Sequence, residues 1–234
     1  MKKLVIAHRG ASAYEVENTI ESFKKAMLLG SDMIEFDVRK TKDEVLIICH
    51  NENIGDFLIK ELDYKEIEEK IGHKVPTLEE TIEFLSGKIK VDVEIKEIGY
   101  EKEIIDLMLK YFKEYEFVVT SFEDQSIRKV KDFYPEIRTG LLLGKKKSNN
   151  LIKTKISEIF FEKRCKNSKA DFLVLNWKLL CFGLLKRAEK MKKAVIVWTV
   201  DDEKKMKKFF TNENVEGIIT NRPDIAIKIR DCGR

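Results

Sequence analysis

Short aliphatic, β-branched runs recur along the chain. Each is followed by a longer stretch whose apolar residues repeat every three or four positions. The runs cover 4–7, 33–38, 89–95, 117–120, 138–143, 172–175, 195–199 and 217–220, and the helical patterns between them include 19–29, 101–112, 125–133, 178–191 and 203–210. Strands of four to seven residues alternating with longer amphipathic helices predict βαβ units and a parallel sheet. Several runs are apolar on both sides, as strands buried on both faces are. Eight such units in 234 residues fit a TIM (β/α)₈ barrel. The competing doubly wound open sheet usually carries a glycine-rich phosphate turn after its first strand, and none is present here.

One segment breaks the rhythm. The polar stretch Thr41-Lys42-Asp43-Glu44 predicts a hairpin turn, so residues 45–49 become an extra strand paired with 33–38. Residues 51–74 then match no barrel element and are expected to form a small insertion over one end of the barrel, after its second strand, with a short helix at 64–70. Thr77 and Glu80 form a capping box that restarts the regular pattern, and residues 224–230 supply the last helix. No linker or internal repeat divides the chain, so residues 1–234 are expected to form a single domain.

Composition narrows the functional classes. With 43% hydrophobic and 37% charged residues, the chain has too many core formers to be disordered. No apolar run approaches the ~20 residues of a membrane helix. The opening apolar stretch stops at His8-Arg9, too early for a secretory leader, so a cytoplasmic address is expected. The four cysteines, Cys49, Cys165, Cys181 and Cys232, are scattered and read as reduced thiols. Net charge is +4, but 45 basic residues are interspersed with 41 acidic ones. That pattern is a solvated surface rather than a nucleic-acid stripe; the nearest basic run, Lys145-Lys146-Lys147, is one short loop.

The informative feature is charge inside strands. Glu35 and Asp37 are two residues apart and share one face of their strand. Asp92, Glu94 and Lys96 share a face of 89–95, opposite Val91, Val93 and Ile95. Carboxylates are seldom buried without a partner, so acids on two neighbouring strands point to a bound cation. The alternative is neutralisation by Lys96, Arg39 and Lys40. The candidate ligands Glu35, Asp37 and Glu94 are all oxygen donors, which suits Mg²⁺ or Ca²⁺ better than zinc. His8 ends the first strand and His50 ends the hairpin, which places two imidazoles suited to proton transfer on the same rim. His73 falls in the insertion as a bystander. Arg9 and Lys96 add fixed positive charge at that end, either for a phosphate or to neutralise the acids. Barrel sites lie at the carboxyl ends of the strands, where these residues fall.

In order, His8-Arg9-Gly10, Glu17-Asn18-Thr19, Glu35-Phe36-Asp37-Val38, His50 and Glu94-Ile95-Lys96 resemble the glycerophosphodiester phosphodiesterase family. Supporting matches are Pro76-Thr77-Leu78-Glu79-Glu80, Ser121-Phe122, Val197-Trp198-Thr199-Val200 and Gly217-Ile218-Ile219-Thr220-Asn221-Arg222-Pro223. The resemblance implies a TIM barrel that hydrolyses small-molecule glycerophosphodiesters to glycerol 3-phosphate and an alcohol. It implies Glu35, Asp37 and Glu94 as ligands of one divalent cation, His8 and His50 as acid and base, and Arg9 and Lys96 as phosphate holders. It places Glu17 and Asn18 at the first loop and the glycerol end, with Trp198 walling the glycerol or packing the rim. Three departures stand out. Asn51 replaces the usual Asp after the second histidine, Val16 replaces a proline, and Glu52-Asn53-Ile54-Gly55-Asp56-Phe57 replaces a longer Arg-Thr-Thr and glycine-rich stretch. The headgroup side is therefore expected to be more open or differently lined. An apolar lining by Phe57, Leu58 and Ile59 would shift the substrate to a lysophospholipid, and a weakened site would leave a binding protein.

Overall fold

The computed structural model describes residues 2–144 and 151–232; the basic run 145–147 lies outside them. Strand β1 (Leu4–His8) leads through α1 (Ile20–Leu28) to β2 (Met33–Lys40), against which β3 (Leu46–Ile48) returns antiparallel. The inserted segment holds a hairpin, β4 (Asn53–Ile54) and β5 (Phe57–Leu58), a 3₁₀ turn and helix α2 (Tyr64–Ile71). The alternation then runs α3 (Leu78–Leu85), β6 (Lys90–Ile95), α4 (Glu101–Tyr111), β7 (Phe117–Ser121), α5 (Asp124–Phe133), β8 (Thr139–Leu143), α6 (Leu151–Ile159), α7 (Glu162–Ser168) and β9 (Phe172–Asn176). It finishes with α8 (Leu184–Lys190), β10 (Ala194–Trp198), α9 (Glu203–Phe210), β11 (Val215–Thr220) and α10 (Pro223–Cys232). Parallel pairing runs β1–β2–β6–β7–β8–β9–β10–β11, and β11 pairs back to β1, so eight strands close the TIM barrel. Among the described residues no helix is long and apolar enough to cross a membrane.

Alternation along each strand sorts the side chains into two layers. Ile6, Met33, Val118, Leu142, Phe172, Val174, Ile196 and Ile219 pack inside the barrel, and two larger clusters fill the space between strands and helices. Toward the amino ends of the strands Arg138 closes the barrel. Its Nη1 and Nη2 donate to Glu216 Oε1 and Oε2 at 3.1 and 2.5 Å, and its guanidinium lies 4.8 Å over the Phe172 ring. Phe172 reaches so far across that a Cβ on Gly140 would sit 2.5 Å from its ring. Gly140→Ala is therefore expected to cost about 1–3 kcal/mol by overpacking, read as a fall of roughly 2–4 °C in melting temperature per kcal/mol. Adding Phe172→Leu should recover part of the loss; an unchanged melting temperature in Gly140→Ala would refute the packing argument.

The capping box at α3 forms as expected, Thr77 Oγ1 accepting from the Glu80 N–H at 3.1 Å and Glu80 Oε2 from the Thr77 N–H at 3.0 Å. Other elements differ from expectation. The amphipathic stretch 178–191 is not one helix, because Gly183 takes a left-handed φ of 71° and separates a 3₁₀ segment, Trp177–Phe182, from α8. The insertion gains the β4–β5 hairpin and a core of its own from Ile47, Ile59, Leu62, Ile67 and Val75. Ile59 is thus buried, and Phe57 lies under Lys70, whose Nζ is 4.0 Å from the ring centroid. Of the three apolar side chains 57–59, Ile59 is withdrawn into this core while Phe57 stays about half exposed.

Candidate active site

β1 ends at His8, and the chain turns sharply through Arg9 and Gly10, with φ of 55° and 81°. A left-handed Arg9 is strained and is held by three bonds. Its N–H donates to Glu35 Oε2 at 2.9 Å, and its carbonyl accepts from Ser22 Oγ at 2.9 Å and the Asn18 N–H at 3.0 Å. A Cβ on Gly10 would fall 2.3 Å from Ser22 Oγ, so only glycine fits where this turn meets α1.

Parallel register sets Glu35 beside Asp92 and Asp37 beside Glu94. Period two then aims Glu35, Asp37 and Glu94 to one place: a donor oxygen from each lies within 4.8 Å of the others, and all three residues are buried. This cluster can hold a metal ion. Lys96 Nζ donates to Glu94 Oε1 at 2.6 Å and Asp37 Oδ1 at 3.0 Å. Arg9 Nε pairs with Asp37 Oδ2 at 3.2 Å, Arg9 Nη1 donates to both Glu17 oxygens at 2.8 Å, and Asn18 Nδ2 donates to Asp37 Oδ2 at 2.8 Å. Arg39 and Lys40 take no part. Arg39 holds the His50 carbonyl at 2.9 Å and pairs with Glu97, while Lys40 pairs with Glu44 and Glu103.

Three acids thus face two bases, and the titration of the acids reflects the imbalance. Burial and the charges of Asp37 and Glu94 push the Glu35 carboxyl well above its ordinary range. Burial also raises Glu94, against Lys96. Burial alone would raise Asp37 as well, but Lys96 and Arg9 hold it far below the usual carboxylate value. Lys96 and Arg9 thus favour the ionised form of Asp37 most, while burial and the neighbouring carboxylates work against that of Glu35. Beneath it, Asp92 is pushed up to about 7 by burial, with Oδ1 accepting from Thr120 Oγ1 at 2.8 Å. Asp92 is a buried floor to the cluster, hydrogen-bonded through Oδ1 while Oδ2 has no partner among the described residues.

Both rim histidines arrive as the sequence predicts. His8 is driven down to about 4 by burial and by Arg9, so its imidazole is neutral near pH 7. His50 is lowered by burial, and its Nδ1 lies 3.2 Å from Asn51 Oδ1. Asn51 thus orients this ring without adding charge. His73 is exposed and bonds only the neighbouring Lys74 carbonyl, at 3.0 Å. The Trp198 indole N–H donates to Leu143 and Val174 carbonyls, both at 3.2 Å, and the ring packs edge-on against Phe122, centroids 5.6 Å apart; rim packing is its visible role. Sequence reasoning assigns no role to Ser12, Asp201 or Asn221, which the fold brings to the far side of His8. No spacing could reveal them, since Asn221 lies 213 positions from His8.

Comparison with known proteins finds relatives along nearly the whole chain. The sequence model of the glycerophosphoryl diester phosphodiesterase family matches residues 8–225. A glycerophosphodiester phosphodiesterase of Caldanaerobacter subterraneus subsp. tengcongensis is 33% identical, covering 98% of both chains. A human lysophospholipase D is 25% identical over 97% of this chain and 84% of its own. An Oleispira antarctica phosphodiesterase, solved in complex with the product sn-glycerol-3-phosphate, superposes with a TM-score of 0.81 at 21% identity, over 97% of this chain and 96% of that one; this likeness supports the barrel.

Proposed function

The chain belongs to the glycerophosphoryl diester phosphodiesterase family, and from that premise we propose that it cleaves glycerophosphodiesters to sn-glycerol 3-phosphate and an alcohol in a single barrel domain, using one divalent cation. The observation that carries the reading is the convergence of three buried carboxylates, Glu35, Asp37 and Glu94, on a rim that also bears Arg9, Lys96, His8 and His50. All-oxygen donors favour Mg²⁺ or Ca²⁺. Bound there, such a cation supplies Lewis-acid charge against the negative charge that gathers on the phosphate in the transition state. With the three carboxylates ionised around it, a divalent cation would offset their negative charge beside Arg9 and Lys96 and leave the rim able to take a phosphodiester anion.

The protein's own groups do the rest. Arg9 and Lys96 hold phosphate oxygens with fixed charge. One histidine takes the proton of the nucleophile, either water or the neighbouring glycerol hydroxyl, and the other gives a proton to the departing alkoxide. Attack by the glycerol hydroxyl forms a new P–O bond as the P–O bond to the alcohol breaks, leaving a cyclic phosphate that water opens.

Release of glycerol 3-phosphate from glycerophosphocholine and glycerophosphoethanolamine tests the proposal, with metal-stripped protein, added Mg²⁺ or added Ca²⁺, and His8→Ala as the blank. Cation-dependent turnover absent from the blank is expected. No turnover with either cation from folded protein would refute it for these substrates, and tight product binding alone would mark a binding protein. The human relative's name favours a second reading, a lysophospholipase D activity at the same site. Rates rising steadily with acyl-chain length would support it; the burial of Ile59 speaks for the short, polar substrates.

A further inference from the structure

On the side of His8 away from the carboxylates runs a chain of hydrogen bonds that the reaction above does not use. It is built where β10 and β11 end. The Val200 N–H donates to the Ile219 carbonyl at 2.9 Å, which brings Asp201 against Thr220 and Asn221. Asp201 Oδ1 accepts from Thr220 Oγ1 at 2.9 Å and the Asn221 backbone N–H at 2.8 Å, and Asp201 Oδ2 accepts from Asn221 Nδ2 at 2.7 Å.

A carboxylate can only accept. The Asn221 amide must therefore turn its NH₂ to Asp201, because the reverse orientation would set its carbonyl oxygen against carboxylate oxygen. Its Oδ1 is left facing the site, 2.6 Å from His8 Nδ1 and 2.8 Å from Ser12 Oγ. That oxygen also only accepts, so the proton of the neutral imidazole is placed on Nδ1 and the lone pair on Nε2. Ser12 Oγ, which also lies 2.8 Å from the His8 carbonyl, closes the arrangement on the loop side. The orientation of the Asn221 amide and the place of the His8 proton follow from the single charged member at the far end, while Ser12 Oγ has one proton to share between Asn221 Oδ1 and the His8 carbonyl.

We propose that Asp201 and Asn221 are positioning residues: Asp201, acting through the Asn221 amide, fixes the ring orientation and the tautomer of His8. The inference rests on the reading of His8 as a group that moves a proton in the diesterase reaction. Asp201→Asn keeps the shape but removes the constraint, since an amide at 201 accepts as well as donates and no longer dictates how Asn221 faces. The loss expected for an outer partner of a reacting group is roughly 10–100-fold. It should fall on kcat with KM little changed, because substrate contacts are untouched. The exchange Asp201→Asn with Asn221→Asp is the decisive variant. It moves the carboxylate next to the ring, where it again accepts from Nδ1 and from the amide now at 201, so kcat should recover most of the loss.

The test that a merely structural role would not move is the tautomer itself. The chain has three histidines, so ¹⁵N-histidine labelling with assignment by His8→Ala allows the ring nitrogens of His8 to be read by NMR at neutral pH. Nδ1–H with a bare Nε2 is expected in the parent and in the exchange variant, and a mixed or reversed tautomer in Asp201→Asn. An unchanged tautomer in Asp201→Asn, or an exchange variant no better than the single one, would overturn the proposal. If Asp201→Asn fails to fold, Asn221→Ala, which deletes the acceptor facing His8, is expected to give the same tautomer change. A parent that turns over no diester would refute the functional reading, while the tautomer measurement would still decide the role of Asp201.

Discussion

Replacing Glu35 by Gln lowers turnover by on the order of 10³-fold or more, because a metal ion contributes several kcal/mol to the transition state and each 1.36 kcal/mol is a factor of ten. The same change abolishes the rise in melting temperature that Mg²⁺ or Ca²⁺ gives the parent protein. At about one hundred times its dissociation constant a cation stabilises the folded state by about 2.7 kcal/mol. For a domain of this size that is a rise of roughly 5–10 °C. The isosteric amide keeps an oxygen for the Arg9 N–H, which Glu35 Oε2 now accepts at 2.9 Å, so the strained turn after β1 survives and the loss is assignable to the metal site. Differential scanning calorimetry with and without cation, beside the diester assay, reads both effects. A variant that still gained several degrees from Mg²⁺ or Ca²⁺ would remove Glu35 from the ligand set.

Removing either imidazole is the second large effect. His8→Ala and His50→Ala are each expected to reduce kcat by roughly 10²–10⁴-fold, with cation binding retained, since neither ring belongs to the carboxylate cluster. For His50 the fold should hardly notice: the ring sits at the rim, and what Arg39 grips is its backbone carbonyl, at 2.9 Å, which alanine also offers. Near-parental turnover in both variants, measured with saturating cation, would refute the acid–base assignment. Retained turnover in one alone would leave a single histidine in that role.

Much of this arrangement is legible in the chain because two periodicities cannot be disguised. In β6 the alternation of Asp92, Glu94 and Lys96 with Val91, Val93 and Ile95 fixes which side chains enter the barrel, whatever the rest of the chain does. The same reasoning on Glu35 and Asp37 brings the two strands' acids together once β2 and β6 are neighbours. His8 and His50 follow from lying at strand ends. What escapes is set by conformation or by distance. The apolar spacing of 178–191 continues across Gly183, and nothing in that pattern reveals the left-handed turn that splits it. Strands of two residues, such as β4 and β5, are too short to show a period. The positive partners of the acids are legible by position, Lys96 on their face and Arg9 at the end of β1, but not the left-handed backbone at Arg9 that goes with its contact to Asp37. Arg39, on the same strand face as Asp37, reaches instead for the His50 carbonyl. Asn221 is legible only as part of a motif and Asp201 only as a polar loop residue, and neither shows a role until closure of the barrel puts them beside β1.

That closure has a consequence for how the protein comes into being. β1 is hydrogen-bonded to β2 on one side and to β11 on the other, and the seam is fastened below by Lys3 Nζ on the Asn212 carbonyl at 2.9 Å and by Arg230 on the Lys3 carbonyl at 3.1 Å. A chain emerging from the ribosome amino end first carries all three carboxylates and both histidines once residue 94 is made, yet β1 keeps an open edge until residues 215–220 have emerged. Unpaired strand edges invite association with other chains, and domains of this length pass through incomplete, aggregation-prone states while they assemble. β1 thus waits for β11. The completed active-site rim and the removal of the sheet's exposed edge arrive together, when β11 pairs with β1.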